Sequence, residues 1–254
     1  MPLAVAYHRP ATIAEAIALL GETNRVPLAG GTVLNADRTL SDLELVDLQD
    51  LGLGEIALVD DGRLRIGATA TLDDICRSDL MPQGIRDRAR AESPSTMRTL
   101  ATLGGRIASG PSRTGWAESA FLAALLAHDT VLELVKVEGD TAGTEKTCRL
   151  DKHLSHAGPD GDPSLITAIT IESNGKTAFQ STARTPADTP IVAVYGRKTD
   201  DGMTIAVSGA SAYPIVVDPD NPDLDPPNDF RGSAQYRKDV SKTLIERVVT
   251  ELND

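Results

Sequence analysis

The chain has 254 residues, 41% of them hydrophobic, which suffices for one large domain or for two or three small ones. Its net charge of −12 argues against nucleic acid as a partner. The sequence has no 18 consecutive apolar residues, which argues against a membrane span, and its first residues have no basic region before an apolar core, which argues against a signal peptide. Two cysteines, Cys76 and Cys148, are too few to hold an iron–sulfur cluster and indicate a reducing, cytoplasmic location.

The first half of the chain predicts short helices and strands in alternation. Thr12 and Glu15 have the spacing of an N-terminal helix cap, and Gly21 follows the apolar positions of the same helix. Turn residues around Gly62 separate two apolar runs and predict a hairpin. In chain order we expect a helix over 10–20, strands over 26–28 and 43–48, hairpin strands over 56–59 and 63–66, helices over 72–76, 85–91 and 117–127, and a strand over 130–137.

The second half predicts a sheet followed by a terminal helix. In chain order we expect a loop-rich segment over 138–162, strands over 164–172, 178–183 and 204–207, a helix or an extended piece over 188–195, a loop over 214–227 and an amphipathic helix over 233–252. The composition changes near 160–163, which predicts a boundary between a part at 1–172 and a C-terminal part at 173–254.

Two Gly-Gly pairs, each near the end of an apolar run, are the most informative local feature. The first lies in VPLAGGTVLNA at 26–36 and the second in MRTLATLGGRIASGP at 97–111. Glycine permits positive φ, successive N–H groups in such turns form a nest for anions, and Thr32 and Thr102 add hydroxyl donors. The pairs predict either two walls of one site for a phosphate-bearing ligand or two plain strand-end turns.

The segments LAGGT and ATLGG resemble the flavoprotein subunit of the molybdenum hydroxylases, the family of xanthine dehydrogenase and aerobic carbon monoxide dehydrogenase. Five further segments extend the resemblance over nearly the whole chain: AYHRPATIAEAIALL at 6–20, LVDLQDL at 45–51, LRIGATATLDDI at 64–75, SLITAITI at 164–171 and DFRGSAQYRKDV at 229–240. The spacing of the whole set makes the resemblance specific.

The resemblance implies an α+β fold of the xanthine dehydrogenase flavoprotein type. An FAD-binding domain at 1–172 would split into subdomains at about 1–60 and 61–172 with FAD between them, and a small sheet-plus-helix domain would follow at 173–254. The first glycine loop would hold the pyrophosphate, and the second, around 102–109, would face the flavin. The cofactor-binding residues implied are Leu28, Ala29, Gly30, Gly31, Thr32, Val33, Leu34, Thr102, Gly104, Gly105, Arg106, Ser109 and Glu118.

The resemblance also implies a role in electron transfer. A molybdopterin-binding large subunit and a [2Fe–2S] small subunit would be partners, and electrons would pass through FAD to an acceptor such as NAD⁺, quinone or oxygen. This chain would need no acid–base residue of its own, because the flavin carries the redox chemistry. Two alternatives are a stand-alone FAD-dependent oxidoreductase on the same fold, indicated by the PSRTGWAES insert at 111–119, and a non-redox homologue that has lost FAD.

Three positions depart from the family pattern and motivate the last alternative. Val33 follows AGGT where the family usually has a polar residue, and Arg106 follows the second Gly-Gly where it usually has Asn. Ala120 occupies the place of an Asp before a long apolar helix, and Glu118 is the nearest carboxylate. Arg106, being longer and cationic, would fill the site or contact a phosphate.

Other motifs favour plain structural interpretations. The segment GLGEIA at 52–57 fits a dinucleotide fingerprint but precedes a predicted hairpin rather than a helix. We expect His153 and His156 to be solvated in a loop, and the Asp-rich segment 218–225 to be a solvated loop rather than a calcium site. Arg113 and Trp116 would either cover the cofactor or lie in an exposed loop. Arg184, Asp188 and Tyr195 match a family stretch that usually lies at the subdomain junction, where Arg184 and Asp188 would either approach the flavin or form a structural ion pair.

Overall fold

The computed structural model describes residues 4–37, 39–59, 61–109, 116–137, 143–156, 163–185 and 188–254. In these ranges the strands are β1 (Ala4–His8), β2 (Arg25–Leu28), β3 (Leu43–Asp47), β4 (Ile56–Leu58), β5 (Leu64–Gly67), β6 (Val131–Lys136), β7 (Glu145–Arg149), β8 (Ser164–Ile171), β9 (Lys176–Thr182), β10 (Val192–Thr199), β11 (Gly202–Ser208) and β12 (Ile215–Val217). The α-helices are α1 (Ile13–Leu20), α2 (Thr32–Ala36), α3 (Leu72–Arg77), α4 (Gln83–Glu92), α5 (Ser95–Arg98), α6 (Leu103–Ala108), α7 (Ala120–Ala127), α8 (Leu150–His156) and α9 (Ala234–Asn253). Short 3₁₀ turns lie at Gln49–Leu51 and Trp116–Glu118.

The N-terminal unit is a parallel sheet of order β1-β3-β2. Parallel neighbours need crossovers, and α1 and α2 supply them after β1 and β2. The Thr12 hydroxyl accepts a hydrogen bond from the Glu15 N–H at 3.2 Å, which confirms the predicted cap of α1. Ile17 on α1 is fully buried, so the apolar face of this helix closes one side of the unit.

A five-stranded sheet of order β4-β5-β8-β6-β7, antiparallel throughout, forms the central unit. Helix α7 packs against α4 and α8. All eight residues of α7 are buried, because its sequence AFLAALLA has no polar position to turn toward water. Its other side packs on β10 and β11, so α7 joins the central core to the C-terminal sheet.

The C-terminal unit is an antiparallel sheet of order β12-β11-β10-β9 covered by α9. Leu244 and Val248 of α9 pack with Val192 and Val207 of the sheet. The predicted terminal helix and the strands over 164–172, 178–183 and 204–207 are confirmed. The α+β architecture is confirmed as well, whereas the division at residue 172 stays a prediction.

The structure corrects several elements. The loop-rich segment predicted over 138–162 contains β7 and α8 in its described part, and the predicted loop over 214–227 contains β12. The segment 188–195, predicted as a helix or an extended piece, is extended and runs into β10, which confirms the second alternative. The sequence pattern does not predict β1 and α2, and the helix predicted from 117 begins at Ala120 after a 3₁₀ turn. The short elements β1, β12 and α2 have too few residues to show a period, so pairing with distant strands decides them.

Candidate functional site

A cleft of about 750 Å³ lies between the N-terminal parallel sheet and the central sheet. This volume is in the range of small-molecule and cofactor sites. The cleft is lined by Val26, Pro27, Ala29, Gly30, Gly31, Thr32, Val33, Leu34, Ala36, Asp37, Leu48, Ala68, Thr69, Leu72, Glu92, Ser93, Met97, Ala101, Thr102, Gly104, Gly105, Arg106, Ala108, Ser109, Ser164, Leu165 and Ile166. Both predicted glycine pairs therefore line one cleft, from opposite walls.

The first glycine pair ends β2 and begins α2. Gly31 has a φ of +66°, a left-handed conformation that glycine adopts without strain, and it stands at the N-cap of α2. The N–H groups of the first helical turn, at Thr32, Val33 and Leu34, have no intrahelical acceptor, and Gly31 has no side chain that could accept from them. These three residues line the cleft, so this wall offers it backbone donors and the positive end of a short helix.

The second glycine pair lies within α6, which corrects the prediction of a second glycine loop. The N–H groups at its start already have acceptors in the chain: Leu103 donates to the Ala70 carbonyl at 2.9 Å, and Gly104 donates to the Ala68 carbonyl at 2.8 Å. Gly105 donates to the Thr102 hydroxyl oxygen at 3.2 Å. Sequence similarity between the two pairs thus conceals a physical difference, since these N–H groups of the second pair are already occupied.

Close packing of backbone explains one glycine of each pair. A Cβ atom on Gly30 would stand 2.6 Å from the carbonyl carbon of Leu100 and closer still to its oxygen. A Cβ atom on Gly104 would stand 2.8 Å from the Cβ of Ala68. Gly30 therefore lets the N-terminal wall touch the segment before α6, and Gly104 lets α6 lie against the residue that follows β5.

Three lining residues carry charge among those that the structure describes: Asp37, Glu92 and Arg106. The Arg106 guanidinium donates through Nε to Oε1 of Glu92, the last residue of α4. The Ser119 hydroxyl donates to the same carboxylate oxygen at 2.8 Å. Sequence reasoning missed Glu92, Asp37 and the start of β8, because only the fold brings these segments to the glycine pairs.

Two of the predicted cofactor-binding residues lie outside the cleft lining. Leu28 lies within β2 and pairs with Asp47 of β3. Glu118 accepts hydrogen bonds from Arg231 and, at 3.2 Å, from Nη2 of Arg237, so it ties the start of α7 to the C-terminal unit. The other eleven predicted residues, Ala29, Gly30, Gly31, Thr32, Val33, Leu34, Thr102, Gly104, Gly105, Arg106 and Ser109, line the cleft.

The remaining sequence motifs take structural places. His153 lies on α8 and is half-buried, which corrects the predicted solvated loop, and no group of possible metal ligands occurs within the described ranges. Arg184 and Asp188 form an ion pair at 3.4 Å outside the cleft. Tyr195 is buried in the central core. Arg113 falls outside the described residues.

The arrangement defines a class of site: an apolar cleft between two α/β units, with backbone donors on one wall. The chain belongs to the family described as the FAD binding domain in molybdopterin dehydrogenase, whose model matches residues 3–171. No helix in the described ranges has the length and apolar character needed to span a membrane.

Known proteins support this membership. The chain is 29% identical over 260 residues to the uncharacterized protein YgfM of Escherichia coli K12, across 94% of this chain and 93% of that protein. It is 34% identical to the xanthine dehydrogenase FAD-binding subunit of Escherichia coli O157:H7, across 52% of this chain and 47% of that subunit. It shares the fold of a chain of Cu,Mo-CO dehydrogenase, with a TM-score of 0.81 at 24% identity over 99% and 98% of the two chains.

Proposed function

We propose that this chain is the FAD-binding subunit of a molybdenum hydroxylase, which passes electrons from the iron–sulfur clusters of a partner subunit through FAD to an external acceptor. One observation carries the proposal: the first turn of α2, which has no side-chain cap, lines a largely apolar cleft in a chain of this family. FAD itself would supply the redox chemistry, and the protein would supply binding, orientation and electrostatics.

The residues that are present fit the cofactor. A pyrophosphate needs several hydrogen-bond donors, which the N–H groups of Thr32, Val33 and Leu34 would supply. Among the described residues, no lysine or arginine of the N-terminal unit lines the cleft. Flat ring systems need apolar walls, which residues such as Val26, Leu72 and Leu165 provide. Val33 contributes its backbone N–H whatever its side chain, so its departure from the family pattern leaves this donor in place.

Partners follow from the same proposal. A molybdopterin-binding subunit would oxidise the substrate, and a [2Fe–2S] subunit would carry the electrons toward this chain. The described residues hold two free cysteines, Cys76 and Cys148, and no metal-binding group, which is consistent with clusters on separate chains. The relatives named as a xanthine dehydrogenase FAD-binding subunit and a carbon monoxide dehydrogenase medium chain support this arrangement.

The first experiment is a visible absorption spectrum of the purified chain after incubation with FAD and gel filtration. We expect a retained flavin spectrum. A chain that refuses FAD both alone and when co-expressed with candidate partner subunits would refute the proposal. A chain that binds FAD and oxidises a small molecule without partners would instead support the stand-alone enzyme.

A charge variant tests which wall holds the pyrophosphate. Thr32→Glu places a carboxylate in the first turn of α2, where it stabilises the helix but repels a bound dianion. We expect FAD affinity to fall by about tenfold or more, with the melting temperature of the FAD-free protein preserved. Gln83→Glu is the matched control, because it adds the same charge to the exposed first turn of α4, outside the cleft.

A further inference from the structure

The ion pair of Arg106 and Glu92 is a feature of the cleft that the backbone donors of α2 do not account for. Arg106 lines the wall opposite α2, and both side chains are nearly buried, with 12% and 9% of their surfaces exposed. Ion pairs removed from water recover their desolvation cost only in part, so stability alone is a weak reason to keep one here. Glu92 also ends α4, where the helix dipole disfavours a carboxylate.

The carboxylate of Glu92 is held from behind by another helix. Ser119 is almost completely buried and is the N-cap of α7, where its hydroxyl oxygen accepts a hydrogen bond from the Leu122 N–H at 3.1 Å. The same hydroxyl donates a hydrogen bond to the carboxylate of Glu92. The positive end of α7 therefore lies beside Glu92 and stabilises its charge. Helix α7 is buried along its whole length, so the support under Glu92 is rigid.

From these contacts we infer that Arg106 is a preorganised cationic contact for the anionic part of FAD, and that Glu92 and Ser119 are its positioning residues. The inference rests on the proposed function and adds to it a second, charged wall facing α2. A guanidinium already fixed by Glu92 loses little side-chain freedom when an anion arrives. The negative charge of Glu92 also cancels part of the attraction between Arg106 and the anion. The pair therefore fixes the position of the guanidinium while reducing its effective positive charge.

The charge model predicts opposite effects of neutralising the two partners. Glu92→Gln keeps an oxygen that accepts from Arg106 and Ser119 but removes a negative charge, so FAD affinity should rise by about threefold to tenfold. Arg106→Gln removes the cation, so affinity should fall by about tenfold and depend less on salt. Arg106→Lys keeps the positive charge, so its affinity for FAD should lie between those of Arg106→Gln and the wild type.

The experiment is a fluorescence titration of the FAD-free chain and its variants with FAD, at low and high salt. Glu133→Gln is the matched control, because Glu133 pairs with Arg65 at 2.7 Å outside the cleft, and it should leave FAD affinity unchanged. A merely structural pair would lower the melting temperature in both Glu92→Gln and Arg106→Gln while their affinities stayed equal or shifted in the same direction. That result would overturn the inference.

Two failures are distinguishable. A wild-type chain that binds no FAD refutes the proposed function before any variant is compared. A wild-type chain that binds FAD, with variants that fail to move in opposite directions, refutes only the role of Arg106. If Arg106→Gln does not fold, the comparison of Arg106→Lys with Glu92→Gln decides, because only the charge model expects Glu92→Gln to exceed the wild type in affinity.

Discussion

The contact between the two walls of the cleft at Gly30 gives the sharpest stability prediction. In Gly30→Ala, the new Cβ would lie 2.6 Å from the Leu100 carbonyl carbon, whereas carbon atoms normally approach to about 3.5 Å. The obstructing atoms belong to backbone, so no side chain can rotate away, and the walls must separate by more than about 1 Å because the Leu100 oxygen stands closer still than its carbon. Overpacking of this kind costs up to about 3 kcal/mol. For a chain of this length that corresponds to a melting temperature lower by roughly 10 °C.

The assay is thermal unfolding of the FAD-free protein, followed by titration with FAD. Gly54→Ala is the control, because its Cβ would meet only the Thr69 hydroxyl at an ordinary 3.6 Å. We expect Gly30→Ala to lose stability before any cofactor is added, and Gly54→Ala to unfold near the wild-type temperature. A Gly30→Ala protein with unchanged stability but impaired FAD binding would refute the reasoning, since it would show that this glycine serves the ligand rather than the walls.

Three further variants or conditions test the rest of the fold. Burial lowers the pKa of His128 from 6.5 to about 4, so the unfolded chain binds a proton at this residue at a higher pH than the folded chain does. Acid should therefore remove about 3 kcal/mol from the free energy of unfolding between pH 6.5 and 4. In urea unfolding, the dependence of this free energy on pH should be weaker in His128→Asn than in the wild type. Arg237→Met removes the buried partner of Glu118 and Asp229 and should destabilise by about 3–5 kcal/mol in the same assay, whereas a neutral result would show that the network contributes nothing. Phe121→Ala, in the fully buried α7, should cost about 3–5 kcal/mol by calorimetry, and a loss under 1 kcal/mol would mean that the core collapses around the cavity.

Periodic and capped segments of the sequence predicted their structures well. Thr12 and Glu15 fixed the start of α1, and the continuous apolar run of α7 had no alternative to burial. The hairpin of β4 and β5 around Gly62 followed from its turn residues. In each of these cases the signal lies within about ten residues, which is the range over which a single sequence is informative.

The parts that sequence could not supply depend on contacts between distant segments. Nothing in the sequence near Gly104 indicates that its N–H donates to Ala68, so the sequence alone predicts a nest at the second pair like that at the first. Glu92 reaches Arg106 and Ser119 across separations of 14 and 27 residues, and no local pattern in α4 marks it. Contacts between segments that are distant in sequence, rather than composition, determine which of the two glycine pairs has backbone N–H groups without an acceptor among the described residues.

Two of the departures from the family pattern, Arg106 and Ala120, lie close to the contacts of Glu92. The resemblance leads one to expect a carboxylate at residue 120, but Ala120 is 6% exposed in the core. Two carboxylates lie at the start of α7 instead: Glu118, which binds Arg231 and Arg237, and Glu92 of α4, which binds Ser119. The neighbouring departure, Arg106, is the residue that Glu92 binds. Glu92 therefore lies between the Arg106 guanidinium and the positive end of α7, and its charge offsets both. Val33, the third departure, takes no part in these contacts. The donors on its wall are backbone N–H groups, which a side-chain substitution leaves in place.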